Sequence, residues 1–329
     1  RITAQLAVEN GCDYLVHSVD DELLTDEFVQ LLKSKNTILC PTLIVHDGYY
    51  NTFGQNLHMS HHEQRMGDPF QLGSLLDLKH LPDTAMINRY YRRINTPEKM
   101  EDTKAANGIM LTNLRKLSDA GVIIATGTDA GNIGTLHASS YLTEVLAMQA
   151  SGMSHWQILE ASTINGAKVL RKEKEFGSVS KGKKANMILL EADPTTNIEN
   201  ITKIYRVINK GVVIDPDTLI PVSPVALAQQ QLNAYNLRDI DAFLEPYADD
   251  IEIYNYPNSL LYKGKSEMRL DYSALFDSAP DLHCELAGRT VKGNVVTDQE
   301  IVRFGNRKIE ATAIFHTEKG KIQKVYFKQ

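Results

Sequence analysis

Two hydrophobic periodicities alternate along the first part of the chain. Residues 1–10 carry apolar side chains at helical spacing up to Gly11, a glycine placed to end a helix, and residues 13–17 follow as a short run of β-formers. The pattern repeats: Asp26, Phe28, Val29, Leu31 and Leu32 predict a helix over 25–35, and a strand follows over 37–43. Periodicity then fades from His46 to about Ile94, a stretch rich in His, Tyr, Asn and Gly that reads as an irregular lid or pocket wall. Thr96-Pro97-Glu98 signals a new helix through a capping hydroxyl, a proline at the first helical position and an acid in the first turn. Leu111, Leu114 and Leu117 carry that helix to Ala120-Gly121, a strand is expected over 122–126, and helices over about 138–151 and 154–171 complete this part. Strands alternating with helices imply a parallel sheet with helices packed outside it.

From Gly177 the texture changes. A turn-rich stretch leads into a strand ending at Leu190, and residues 204–214 read as a hairpin turning at Asn209-Lys210-Gly211. Pro216, Pro221 and Pro224 punctuate a linker over 216–224. Beyond it the pattern predicts helices over 226–236 and 239–248, a strand over 250–256 and a helix over about 265–277. Alternating strands follow near 282–291, 294–305, 308–317 and 321–327. This is the signature of an α+β domain with a curved antiparallel sheet.

A length of 329 residues suits two domains. The net charge of −6 supplies no basic field for nucleic acid, and no apolar run approaches the roughly 20 residues of a membrane span. Cys12, Cys40 and Cys284 lack metal-knuckle spacing and read as buried thiols. Because the chain opens inside a helical pattern without an initiator Met, it is expected to be the C-terminal part of a longer protein, which leaves localisation open.

Candidate chemistry sits where apolar runs end. Val122 to Thr128 leads into Asp129, and Tyr14-Leu15-Val16 leads into His17. A (β/α)₈ barrel delivers its catalytic groups in this way, at the carboxyl ends of parallel strands. Asp129 has two readings: a metal-bound carboxylate that takes a proton from water, or a cap for the following helix. His17 alone reads as a structural histidine; paired with Asp129 on a neighbouring strand it reads as a ligand. His137 is placed to touch substrate, and Glu144 lies seven residues on, on a similar helical face. Tyr49 and Tyr50 are substrate contacts or packing residues. His58, His61 and His62 resemble a metal cluster but sit in a segment without a predicted scaffold, so a solvated loop is the expectation.

These residues resemble the amidohydrolase superfamily, in particular its imidazolonepropionase-like and prolidase-like branch. Gly11 to Ser18 looks like the family's sixth barrel strand with its metal-binding His. Pro41-Thr42-Leu43 resembles the end of strand seven, and Gly127-Thr128-Asp129-Ala130-Gly131 resembles strand eight with its ligand and general-base Asp. Ala161 to Leu170 resembles the helix that follows, and Gly177 to Leu190 the return to a small β-sandwich. The resemblance implies an α/β fold with these boundaries: 1–175 part of a (β/α)₈ metal-dependent hydrolase barrel, 176–215 sandwich segment, 216–224 linker. Residues 225–329 resemble the SnoaL-like, nuclear transport factor 2-like cone, where Asp250, His283 and Glu300 are expected at surfaces or strand edges rather than in the interior. The implied activity is hydrolysis of amide, cyclic amide or dipeptide C–N bonds by metal-activated water, with Zn²⁺ as one or two divalent ions. His17 and Asp129 would be ligands, Asp129 the base, and His137, Tyr49 and Tyr50 substrate contacts. The family's remaining ligands would precede Arg1. The implied partners are a small-molecule substrate and a second copy, paired through the C-terminal domain. The alternative is a non-catalytic fragment whose C-terminal domain dimerises or binds a small molecule.

Overall fold

The computed structural model describes residues 1–78, 81, 83–219 and 222–328; Ile220 and Pro221 of the expected linker, and Lys79, His80 and Pro82 of the expected irregular stretch, lie outside these. The chain divides into two compact units. The first comprises residues 1–54 and 89–221, the second residues 55–88 and 222–329.

The first unit opens with α1 (Ile2–Glu9), β1 (Tyr14–Val16), α2 (Asp26–Lys35), β2 (Ile38–Cys40) and α3 (Ile44–Phe53). Next come α4 (His61–Met66) and α5 (Pro69–Leu76), which belong to the second unit, and α6 (Ala85–Ile94), which crosses the division. The first unit resumes with α7 (Pro97–Asp119), β3 (Ile123–Ile124), α8 (Ser140–Ala150), α9 (His155–Ala161) and α10 (Ile164–Val169). Strands β1, β2 and β3 pair in parallel in that order, with Leu15 opposite Leu39 and Leu39 opposite Ile124. Their carboxyl ends are therefore level, and the loops that leave them open on one edge. Phe28, Val29 and Leu32 of α2, Leu114 and Leu117 of α7, and Val145 and Met148 of α8 close over this sheet. Each such side chain contributes roughly 1.5–3 kcal/mol by leaving water. Residues 187–214 form a separate three-stranded antiparallel sheet: β4 (Met187–Leu190), β5 (Ile204–Asn209) and β6 (Val212–Ile214). Lys210 and Gly211, with φ of 51° and 84°, turn the hairpin expected at Asn209-Lys210-Gly211.

The second unit packs α4 and α5 with α11 (Pro224–Leu237), α12 (Ile240–Leu244) and α13 (Lys265–Ser278). Its sheet has six strands: β7 (Tyr247–Asn255), β8 (Ser259–Lys263), β9 (His283–Lys292), β10 (Val295–Phe304), β11 (Arg307–Glu318) and β12 (Lys321–Lys328). They are ordered β8-β7-β12-β11-β10-β9 and antiparallel except for the β12–β7 pair. The core gathers Phe243, Ile251, Ile253, Met268, Phe315 and Val325.

The stretch expected to be irregular is helical over most of its length. Ser60 and Glu63 form a reciprocal capping box at the start of α4, and Asp68 accepts the N–H groups of Phe70 and Gln71 ahead of Pro69. Helices of six and eight residues are shorter than the window over which periodicity emerges, so their caps are the stronger signal. Residues 55–88 belong to the second unit, separately from residues 46–54 and 89–94 of the same stretch. Asn233 Nδ2 of α11 donates to the Pro69 carbonyl at 2.6 Å, and Gln64 Nε2 donates to Asp239 at 2.8 Å. His61 and His62 are therefore scaffolded rather than loose, and His61 pairs with Glu245 at 3.4 Å. The helix expected over 154–171 is two helices separated at Ser162-Thr163, and β8 was not foreseen.

Candidate functional site

The three parallel strands end in unusual backbone. His17, Thr42 and Asp129 follow β1, β2 and β3 and adopt φ of 77°, 47° and 53°, in the left-handed region that non-glycine residues seldom occupy. For Thr42, a β-branched residue, this is a clear outlier. Each such residue costs on the order of 1–3 kcal/mol, and such strain concentrates where function over-determines geometry. All three line one cleft of about 260 Å³, together with His46 and Tyr49 of α3 and Asn132 of the loop after β3.

The His17 ring is anchored through Nδ1. Its Nδ1 lies 2.6 Å from Thr42 Oγ1, whose own proton is directed to the Pro41 carbonyl at 2.9 Å. With the hydroxyl proton on that carbonyl the oxygen accepts from the ring, Nδ1 carries the hydrogen and Nε2 keeps its lone pair. A metal-ligating imidazole needs this arrangement, with the second nitrogen donating to a fixed oxygen. Backbone pairing continues past β1, with His17 N donating to Cys40 O at 2.9 Å, which fixes the base of the side chain.

Asp129 is oriented from the other side. Asn132 Nδ2 donates to Asp129 Oδ2 at 2.8 Å, and Tyr49 OH donates to Asn132 Oδ1 at 2.6 Å. This chain of bonds depends on close backbone approach. A Cβ on Gly134, already at φ 75°, would stand 2.6 Å from the Gly48 carbonyl oxygen, so the loop after β3 can rest directly on α3.

Below the cleft, Glu144 of α8 is fully buried and accepts the N–H groups of Leu43 and Ile44 at 3.0 and 3.1 Å. Both carboxyl oxygens are occupied at the junction of β2 and α3, so Glu144 fixes Thr42, His46 and Tyr49 in place. Burial pushes its carboxyl up to about 7, against the two N–H groups that pull it down. Cys40 is buried beneath the site, and burial raises its thiol; all three cysteines are free.

The other expected contacts stand apart. Tyr50 is outside the cleft lining and packs edge-on against the His46 ring at 5.0 Å. His137 is exposed, with its ring beside Gly131. His46 and Asn132 were missed. The signal for His46 was its place one helical turn beyond the Pro41-Thr42-Leu43 strand end; for Asn132 it was a carboxamide inside the glycine-rich loop that carries Asp129. Among the described residues no group of three or more His, Cys, Asp or Glu side chains is placed to hold a metal. His17 and Asp129 fit a divalent ion by donor type, as two of the three protein ligands a catalytic zinc requires.

Residues 50–214 match the amidohydrolase family and residues 228–325 the SnoaL-like domain. Over 222 residues the chain is 22% identical to a 5-methylthioadenosine/S-adenosylhomocysteine deaminase of Thermoanaerobacter pseudethanolicus, covering 60% of this chain and 52% of that protein. It is 30% identical over 105 residues to an imidazolonepropionase of Brevibacillus brevis, covering 31% of this chain and 25% of that protein. The chain thus spans about half or less of the length of these relatives. A Xaa-Pro dipeptidase structure with bound methionine aligns at 22% identity and a TM-score of 0.42, over 64% of this chain and 41% of the other. No helix among the described residues is long and apolar enough to cross a membrane. The chain belongs to the amidohydrolase family, whose match spans half of it, and carries a SnoaL-like domain in its C-terminal part.

Proposed function

We propose that the first unit contributes part of the active site of a metal-dependent hydrolase of C–N bonds, acting on amide, cyclic amide or dipeptide substrates. The observation that carries this reading is the convergence of three left-handed residues on one cleft, with His17 held by Thr42 in the tautomer that frees Nε2. The deaminase among the relatives is named for cleavage of a C–N bond, which supports the bond class.

A bound divalent ion, with zinc suited to imidazole and carboxylate, would polarise the scissile carbonyl and acidify water. His17 Nε2 and Asp129 would supply two of its ligands. Asp129 would take the proton of the attacking water and return it to the leaving nitrogen. Asn132 holds one Asp129 oxygen, which leaves the other for this transfer. Tyr49 lines the cleft and orients Asn132, so it would meet substrate directly, with Tyr50 behind His46 and His137 at the margin. The second unit would pair two copies of the chain, a reading supported by exposed Leu260 and Leu261 on the edge strand β8.

The test is metal uptake and turnover of the chain supplied with Zn²⁺, across N-acyl amino acids, cyclic amides and dipeptides. Asp129→Asn is expected to lower kcat by about 10²–10⁴-fold, and His17→Ala to weaken metal binding. Turnover unaffected by Asp129→Asn would overturn the assignment.

A further inference from the structure

The cleft at the strand ends has more accepting than donating capacity to spare. Its donors are largely committed within the protein. Tyr49 OH donates to Asn132 Oδ1 at 2.6 Å, and Ser18 Oγ and Thr42 Oγ1 donate to the Pro41 carbonyl at 3.1 and 2.9 Å. Asn132 Nδ2 gives one of its hydrogens to Asp129 at 2.8 Å. No Lys or Arg among the described residues lines the cleft, whereas the carboxyl of exposed Asp20 does.

His46 adds an acceptor on the wall. It lies in the first turn of α3 and lines the cleft. Asp47 Oδ1 accepts from Asn107 Nδ2 of α7 at 2.6 Å, which turns Asn107 Oδ1 towards the His46 ring. Nδ1 of His46 lies 3.4 Å from that oxygen. An amide oxygen can only accept, so Nδ1 carries the hydrogen, and a neutral imidazole that donates through Nδ1 accepts through Nε2. The Tyr50 ring, edge-on at 5.0 Å, braces the imidazole. Nε2 has no partner among the described residues and is not enclosed by protein, so its lone pair opens on the cleft.

We propose that His46 is a specificity-determining residue of this cleft, whose Nε2 accepts a hydrogen bond from the substrate's amide N–H and so selects primary and secondary amides over N,N-disubstituted ones. The inference rests on the hydrolase reading of the same cleft. Water solvates Nε2 while the cleft is open, and a substrate closing over the ring displaces it. An N–H donor replaces that water. An N-methyl group leaves the lone pair desolvated and unpaired, a cost borne in full because no other donor is at hand. Asp20, which also accepts, works in the same direction. A peptide bond to proline has no N–H, so this cleft disfavours it.

Pairs of compounds that differ by one N-methyl group provide the test: glycylglycine with glycylsarcosine, N-acetylglycine with N-acetylsarcosine, and pyrrolidinone with N-methylpyrrolidinone, each supplied to the zinc-loaded chain. The N–H member of any pair that is turned over is expected to have a kcat/KM about 10–100-fold higher. His46→Phe, a ring without an acceptor, should lower kcat/KM for the N–H member and bring the ratio near one. His46→Gln, whose side-chain oxygen accepts, should keep part of the preference. A residue that only packs would lower both members alike. Long-range proton–nitrogen NMR of the histidine rings, at a pH where they are neutral and assigned through the His46→Phe spectrum, needs no turnover. It should show Nε2 of His46 unprotonated, and shifted by pyrrolidinone but not by N-methylpyrrolidinone. Equal kcat/KM within a hydrolysed pair would overturn the inference, as would a protonated Nε2 or the same response to both lactams. Failure to hydrolyse any pair would instead overturn the hydrolase reading, and the lactam titration would still decide the role of His46.

Discussion

Glu144 sets two opposing forces against each other, and their balance is measurable. Its oxygens accept the Leu43 and Ile44 N–H groups, which favours the carboxylate, while complete burial disfavours it. Burial prevails, and the group titrates near 7 instead of 4.5. That difference corresponds to roughly 3 kcal/mol. The folded chain then holds a proton that the unfolded chain has released between pH 4.5 and about 7. Stability from this group is full below that window, declines as pH rises through it and is level above. Glu144→Gln removes the titration and keeps one acceptor. The stability difference between the natural chain and Glu144→Gln should therefore fall by roughly 3 kcal/mol from the acid side to the neutral side of the window. Urea unfolding across that pH range measures it. Trp156, the single tryptophan, lies on α9 of the first unit and reports on that unit alone. Glu144→Ala, which also orphans two buried N–H groups and opens a void, should cost roughly 3–5 kcal/mol at any pH. A stability difference that rises with pH would show that the N–H bonds outweigh burial and that the carboxylate is held charged.

Thr42→Val removes the acceptor that fixes the His17 tautomer and should weaken zinc binding by about 10–100-fold in a chelator competition; unchanged affinity would refute the tautomer assignment. Asn132→Ala cuts the link between Asp129 and Tyr49, and kcat should fall further than KM rises, read from steady-state kinetics on whichever substrate the screen identifies. Gly134→Ala combines positive φ with a contact to Gly48 that a Cβ cannot make, and a loss of over about 2 kcal/mol is expected in thermal unfolding. In the second unit Arg289→Met strands the fully buried Asp298 and should cost roughly 3–5 kcal/mol, whereas adding Asp298→Leu should restore most of it.

What the sequence displayed was the part governed by local rules. The alternation of helix and β-former runs predicted β1, β2 and β3, because parallel buried strands are short, continuous and apolar. Thr96-Pro97 marked the start of α7 because capping is a contact within four residues. His17 and Asp129 were legible because strand ends are legible. Three things were not. Helices α4 and α5 are too short for periodicity, and nothing local shows that they pack with helices more than a hundred residues later. The role of Glu144 depends on the Leu43 and Ile44 amides, a hundred residues away, which make this helical acid a pin for the β2–α3 junction. Glu300 was expected at a surface or strand edge. Alternation gives the face of a residue but not what lies over that face, and here it is a cavity. For the two glutamates the missing quantity is burial of a carboxyl, which depends on tertiary packing and decides whether that group carries charge. Glu144 and Glu300 are both fixed by surroundings that the sequence does not show, whereas Asp129 lies exposed where the apolar run before it ends. The candidate site is therefore readable at its strand-end residues and hidden in its supports. Substitutions at Thr42, Asn132 and Glu144 probe what the structure adds.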